Sequence, residues 1–327
     1  MNHAMRVLQA AVLLIAASWC GCGALQAQPF PSRPVRLIVP YPAGGGIDIL
    51  ARLIGQKLSV QWAQPVVVEN RPGSSTILAA EMVAKAPADG HTLLLTTDST
   101  LSINPHLFAR LPYEAGDFAP VTMLVLLQQM LVAHPSLPAN TLPELIALAR
   151  AKPGMFNYAS YGSGSQPHLA GEMLKSKAGI DLVHIPYKGI SFAVPAAIAG
   201  EVHMTFSGIA SSIAHLRAGR IKALAIGGPK RSPLLPEVPT FTELGYPEVE
   251  THAWFGLLVP ARTPRAAIAR IHRDTAAILT EAEFLQKEII GKGYDLVASS
   301  PEEFAAFLTR DSDSRGRAVR ISGARAE

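Results

Sequence analysis

Twice in the first hundred residues a short β-branched run gives way to a glycine-bearing loop and then to apolar residues at helical spacing. That succession constrains the fold more than any other feature. Val35 to Val39 has strand length, Tyr41-Pro42-Ala43-Gly44-Gly45-Gly46 breaks it, and Ile47, Leu50, Ala51, Ile54 and Leu58 then share a helical face through Gln61. Val66 to Val68, the loop Arg71-Pro72-Gly73-Ser74-Ser75, a helix over Ile77 to Ala86 and a strand over Leu93 to Thr96 repeat the order. Two such units in series require right-handed crossovers between parallel strands, which predicts an α/β chain.

A second series starts after Pro135. The spacing predicts helices over Leu142 to Ala151, Gln166 to Lys177, Ile190 to Ala199 and Ile209 to Arg217. Extended segments are expected at Asn157 to Ala159, Leu182 to Ile185, Val202 to Phe206 and Ile221 to Ile226. Gly227 to Pro247 is rich in Pro and polar residues. Strand character returns at Phe255 to Val259 and helical spacing at Pro264 to Leu279. A length of 327 residues suits about two domains. No repeat of 20–50 residues is apparent. The net charge of +4, from 29 Lys+Arg scattered among 25 Asp+Glu, leaves no basic footprint for a nucleic acid.

The N-terminus reads as an export signal. Arg6 precedes an apolar run from Val7 to Ala17, and Ala24-Leu25-Gln26-Ala27 offers a small residue for cleavage after Ala27. Gly21, Gly23 and two glutamines interrupt the run before it reaches the roughly 20 apolar residues of a membrane span. Both cysteines, Cys20 and Cys22, lie in the segment to be removed, so the mature chain would carry no disulfide, thiol catalyst or cysteine metal site. The apolar stretches Thr122 to Leu127 and Gly256 to Pro260 are only of strand length, which predicts a soluble exported protein.

Three loops offer one chemistry. Gly44, Gly45 and Gly46 open a helix, where unpaired N–H groups and the positive end of the helix dipole suit a carboxylate or phosphate oxygen. Ile49 occupies the place of the third glycine of a dinucleotide fingerprint, which argues against a nucleotide. Asp48, just inside that helix, either caps its first turn or faces the ligand. Ser74, Ser75 and Thr76 stand at a second helix start. Ser163, Gly164 and Ser165 precede a third, with Ser165 as its expected cap and Ser163 freer to meet a ligand.

Catalytic patterns are weak. Tyr161 stands where a nucleophile elbow around Ser163 needs glycine. His168 and Glu172 share a helix face, but without His-Glu-x-x-His or cysteine they suit a buried or capping histidine and a surface acid, so no metal is assigned and no cofactor is expected.

Several motifs in one order carry a resemblance. Tyr41-Pro-Ala-Gly-Gly-Gly-Ile-Asp48, Val67-Val-Glu-Asn-Arg-Pro-Gly73, Ala88-Asp-Gly-His-Thr-Leu-Leu-Leu95, Tyr158-Ala-Ser-Tyr-Gly-Ser-Gly-Ser165, His184-Ile-Pro-Tyr-Lys-Gly189 and Trp254-Phe-Gly256 resemble the tripartite tricarboxylate transporter solute receptors, also called Bug receptors. The resemblance spans nearly the whole mature chain. It implies a type II-like periplasmic binding protein of two α/β lobes, each with a central sheet flanked by helices, joined by two crossover segments. Lobe one would comprise 28–127 and 250–327, and lobe two 128–249.

By the same resemblance a monomer closes on a small organic acid, held by backbone amides, hydroxyls and ordered water, and delivers it to membrane permease subunits. Carried over position by position, the ligand residues are Tyr41, Ala43, Gly44, Gly45, Asp48, Ser74, Ser75, Thr97, Ser99, Ser163, Gly164, Ser165, Tyr187 and Ser207, with Lys188 nearby. Two departures stand out. Ser207 takes the place of a usual Asp, which disfavours an amino-acid ligand. Asp311-Ser312-Asp313-Ser314-Arg315-Gly316 replaces an aromatic helix and predicts a frayed last element. The alternatives are a secreted enzyme acting on small acids, or a ligand sensor for a signalling partner.

Overall fold

A computed structural model describes residues 30–228, 230–249 and 251–322. The expected leader at 1–27 with its two cysteines, and the Ser74 side chain, lie outside the described residues.

The apolar runs become β1 (Val35–Val39), β2 (Val66–Asn70) and β3 (Thr92–Thr96), joined by α1 (Gly46–Trp62) and α2 (Ile77–Ala84). β1 lies between β2 and β3 and is parallel to both, as the crossover pattern predicts. One face of these strands packs on α1 through Leu50, Ala51, Ile54 and Leu58; the other packs on α2 through Ala79, Ala80 and Val83. Burial of such side chains contributes roughly 1.5–3 kcal/mol each, and it is this two-sided apolar demand that fixes the layers.

The second series forms α3 (Leu142–Ala151), β5 (Asn157–Ser160), α4 (Gln166–Ala178), β6 (Val183–Pro186), α5 (Ile190–Ala199), β7 (Met204–Gly208), α6 (Ile209–Arg217) and β8 (Lys222–Ile226). It builds its own cores, one around Leu145, Tyr158, Leu174 and Phe206, and another around Ile209, Ile221 and Ile226.

One strand crosses between the two groups. β4 runs from Phe118 to Ala133, far beyond the strand-length stretch at 122–127 that the sequence marks. It pairs antiparallel with β9 (His252–Pro260) up to Gln128, then with β7 and β8 from Gln129 onward. The sheet is therefore mixed, and β10 (Tyr294–Leu296) adds a further antiparallel edge on β4. At the crossing, Gln129 N–H donates to the Thr251 carbonyl (3.0 Å), and its own carbonyl accepts from Gly227 N–H (2.8 Å) and the Thr251 hydroxyl (2.9 Å).

After β9 come α7 (Arg265–Thr280) and α8 (Pro301–Ser322). The expectation of a frayed end is corrected here, because α8 runs unbroken through 311–316. Asp311 and Arg315 point inward to distant partners. Asp311 accepts from the fully buried Trp254 indole N–H (2.8 Å), and Arg315 lies 3.4 Å from Asp311 and 3.5 Å from Asp98. Arg315 also donates to the His252 carbonyl at 2.9 Å.

Candidate functional site

α1, α5 and α6 each start at a glycine, Gly45, Gly189 and Gly208, and none of the three has a side-chain cap. The first N–H groups of a helix have no intrahelical acceptor and carry the positive end of its dipole. All three starts line one cavity of about 50 Å³, through Gly45 to Ile47, Ile190 and Ser191, and Gly208, Ala210 and Ser211. α1 comes from the first strand group, α5 and α6 from the second. Closeness calls for glycine at Gly46 and Gly189. A Cβ on Gly46 would sit 2.6 Å from the Tyr294 hydroxyl, and one on Gly189, whose φ is 136°, would sit 2.9 Å from Pro42.

The rest of the wall is hydroxyl, amide and apolar. The Tyr41 hydroxyl lies 3.1 Å from the Thr97 hydroxyl, and Gln129 Nε2 donates to the Tyr161 hydroxyl at 2.8 Å. Leu127, Ala253, Phe255 and Tyr294 supply the apolar side. Among the described residues no Asp, Glu, Lys, Arg or His lines the cavity. Two buried polar atoms on this wall, Gln129 Oε1 and Ser191 Oγ, have no partner among the described residues. Burial pushes the Tyr41 phenol up to about 12 and the Tyr161 phenol well above its ordinary value, so both stay neutral donors.

Behind Thr97 lies Asp98, 1% exposed. Burial pushes its carboxyl up to about 7, against the pull of the Arg315 guanidinium and with the push of Asp311.

Tyr41 and Tyr161 meet edge to face, ring centroids 5.9 Å apart, and on their far side opens a second cavity of about 380 Å³. Ser75, Thr76, Gly162, Ser163, Tyr187 and Lys188 line this outer chamber. Ser75 donates to the Ser163 carbonyl at 2.6 Å, tying the two strand groups together.

The expected ligand residues thus separate. Tyr41, Gly45 and Thr97 reach the inner cavity; Ser75, Ser163 and Tyr187 reach the outer one, as does Tyr41 from its other side. Ala43, Gly44, Asp48, Ser99, Gly164, Ser165 and Ser207 line neither. Asp48 turns back on the loop before its helix and leaves the first-turn N–H groups uncapped: its carboxylate accepts from Gly44 N–H (2.9 Å) and Asn70 (2.9 Å) and pairs with Arg52 (2.9 Å). Burial alone would raise that carboxyl, but these donors hold it below its ordinary range. The Ser165 hydroxyl donates back to the Gly162 carbonyl at 2.6 Å instead of accepting from α4, whose first turn is closed by His168 Nδ1 accepting from Gly164 N–H (3.0 Å). A Cβ on Gly164 would strike Leu107. Ser207 is fully buried and bonded to the Ser212 hydroxyl.

Sequence reasoning missed Gln129, Tyr161, Ile190, Ser191 and the α6 start. The usable signal was a single glycine before an apolar helix with no Ser, Thr, Asp or Asn in the cap position, as at Gly189-Ile190 and Gly208-Ile209.

The comparisons with known proteins agree with this architecture. The chain is 38% identical over 288 residues to a UPF0065 protein of Pseudomonas sp. (strain P51) from the tcbD–tcbE intergenic region, covering 87% of this chain and 84% of that one. It is 34% identical over 303 residues to Protein BugT of Bordetella pertussis, covering 92% and 93%. Among solved structures, an R. palustris protein with adipate superposes with a TM-score of 0.87 at 32% identity, covering 91% of this chain and all of that one. MatC from Rhodopseudomonas palustris with bound malate does so at 0.84 and 29%, covering 89% and 100%. The model of one family, the tripartite tricarboxylate transporter family receptor, matches residues 50–323. On that match and those identities, the chain belongs to the tripartite tricarboxylate transporter receptor family.

Proposed function

We propose that this chain captures a small carboxylate in the inner cavity and presents it to the membrane subunits of a tripartite transporter. One observation carries the reading: three uncapped helix starts, drawn from both strand groups, face one cavity whose wall holds no anionic side chain. N–H groups aimed at one point satisfy carboxylate oxygens without a cation. The resolved relatives with adipate and malate support the same ligand chemistry.

In this reading the lobes are 28–127 with 250–327, and 128–249, and they hinge where β4 crosses at Gln129. An open form would leave the α1 amides apart from those of α5 and α6, so the ligand favours closure. Export would remove the leader after Ala27 and place a monomer in the periplasm; no helix of the described residues is long and apolar enough to cross a membrane.

The test is a thermal-shift screen of the mature chain against carboxylates, amines and neutral amides. Ligand at a hundred times its Kd stabilises the native state by about 2.7 kcal/mol, a readily seen rise in Tm. Shifts confined to carboxylates are expected. Shifts with amines alone would refute the reading.

A further inference from the structure

Among the described residues no charged side chain lines the inner cavity, and three helix starts bring the positive ends of their dipoles to it. They can meet one carboxylate. A second carboxylate inside would be desolvated with no cation to pair with, and an ammonium would find no carboxylate: Ser207 is bonded to Ser212, and the Asp48 oxygens are taken by Gly44, Arg52 and Asn70. Space adds a limit. About 50 Å³ compares with roughly 150 Å³ for an engineered apolar cavity that accepts benzene, so only a few carbons fit beside the carboxylate.

The Tyr41–Tyr161 pair stands between the inner cavity and the outer chamber, each ring anchored by its hydroxyl, to Thr97 and to Gln129. Beyond the rings the larger chamber carries Lys188, a cation suited to a distal carboxylate. The Gln129 side chain, only 4% exposed, leaves Oε1 without a partner on the inner wall, where it can accept from a ligand hydroxyl.

Building on the carboxylate reading, we propose that this receptor takes short monocarboxylates whose remainder is uncharged, and that Tyr41 and Tyr161 set the length limit. The ligand class differs from the dicarboxylates bound by the two relatives solved with adipate and malate.

The test is calorimetric titration of the full mature chain with lactate, propionate, malate, adipate and glutamate, repeated on Tyr161→Ala. For the unmodified chain, lactate and propionate bind at least tenfold tighter than malate, adipate and glutamate. In Tyr161→Ala the inner cavity joins the outer chamber, and the adipate-to-propionate affinity ratio rises at least tenfold. Malate or adipate binding the unmodified chain more tightly than lactate and propionate would overturn the proposal and leave the carboxylate reading standing. So would a Tyr161→Ala protein with native circular dichroism and an unchanged ratio. If that variant does not fold, the ratios of the unmodified chain decide alone. Binding of none of the five acids would overturn both readings.

Discussion

Arg315 is the side chain whose removal should be felt most widely. It is 2% exposed, spans from α8 to the loop carrying Asp98, and donates to the His252 carbonyl where β9 begins. In Arg315→Met the apolar stem is kept but Asp98 and Asp311 lose their shared cation, and breaking a buried pair from one side costs about 3–5 kcal/mol. At about 2–4 °C per kcal/mol for a chain of this class, Tm falls by roughly 6–20 °C.

The sign of the pH dependence is a sharper test than the size. Asp98 has a folded pKa of about 7, above its unfolded value, so the native state holds an extra proton between those two values. In the unmodified protein this contribution to stability is complete below the unfolded pKa and is lost as pH rises toward 7. Without Arg315 the carboxyl moves higher still, so the loss continues above pH 7. The difference between variant and parent must then be larger at pH 8 than at pH 5, where Asp98 is protonated in both. Urea unfolding followed by tryptophan emission reads it, since Trp254 is fully buried and bonded to Asp311. A difference that is equal at both pH values, larger at pH 5, or below about 1 kcal/mol at pH 8 would refute the reasoning.

Other perturbations follow from the same geometry. Gly46→Ala puts a methyl 2.6 Å from the Tyr294 hydroxyl and drives that ring into the cavity; carboxylate affinity should fall at least tenfold, about 1.4 kcal/mol, while urea stability changes by less than that. Because Asp98 acts electrostatically on Tyr41 and Tyr161, its ionisation adds a negative charge beside the ligand; carboxylate affinity measured by calorimetry should weaken severalfold from pH 6 to pH 8, and Asp98→Asn should flatten the profile. Glu69, bonded to Arg36 at 2.7 and 2.9 Å and held down to about 2 chiefly by that contact, stabilises the fold above its unfolded pKa and loses this as pH falls toward 2. The pair is partly solvated, so Arg36→Met should remove only about 0.5–1 kcal/mol of that acid-side slope in stability measured by urea unfolding.

The elements were legible where the apolar period was unambiguous. Ile47, Leu50, Ile54 and Leu58 have one helical face to bury, and β1 and β3 are buried on both faces, so local pattern and tertiary demand coincide. β4 was not legible at full length because Pro120 and Gln128-Gln129 break its apolar run. What carries the strand through Gln129 is a change of partner, from β9 to β7 and β8, which is non-local. The end of α8 was misread for a similar reason. Asp311, Ser312, Asp313, Ser314 and Gly316 are poor local helix formers, and Trp254, Asp98 and His252 are the distant partners of the buried Asp311 and Arg315.

At the site, the glycine run before α1 announced an open helix start. The starts of α5 and α6 announce themselves only by what is missing, a capping side chain. The serine-rich loops drew attention as ligand groups, yet Ser75 and the Ser163 carbonyl bond each other across the outer chamber.

The account stands most directly on where a bound carboxylate sits. A crystal structure of the mature chain with the tightest-binding acid from the thermal screen would show it. The account predicts both carboxylate oxygens within hydrogen-bond distance of first-turn N–H groups of α1 and of α5 or α6, inside the wall made by Tyr41 and Tyr161. A carboxylate resting in the outer chamber against Lys188, with the three helix starts bonded only to water, would contradict it.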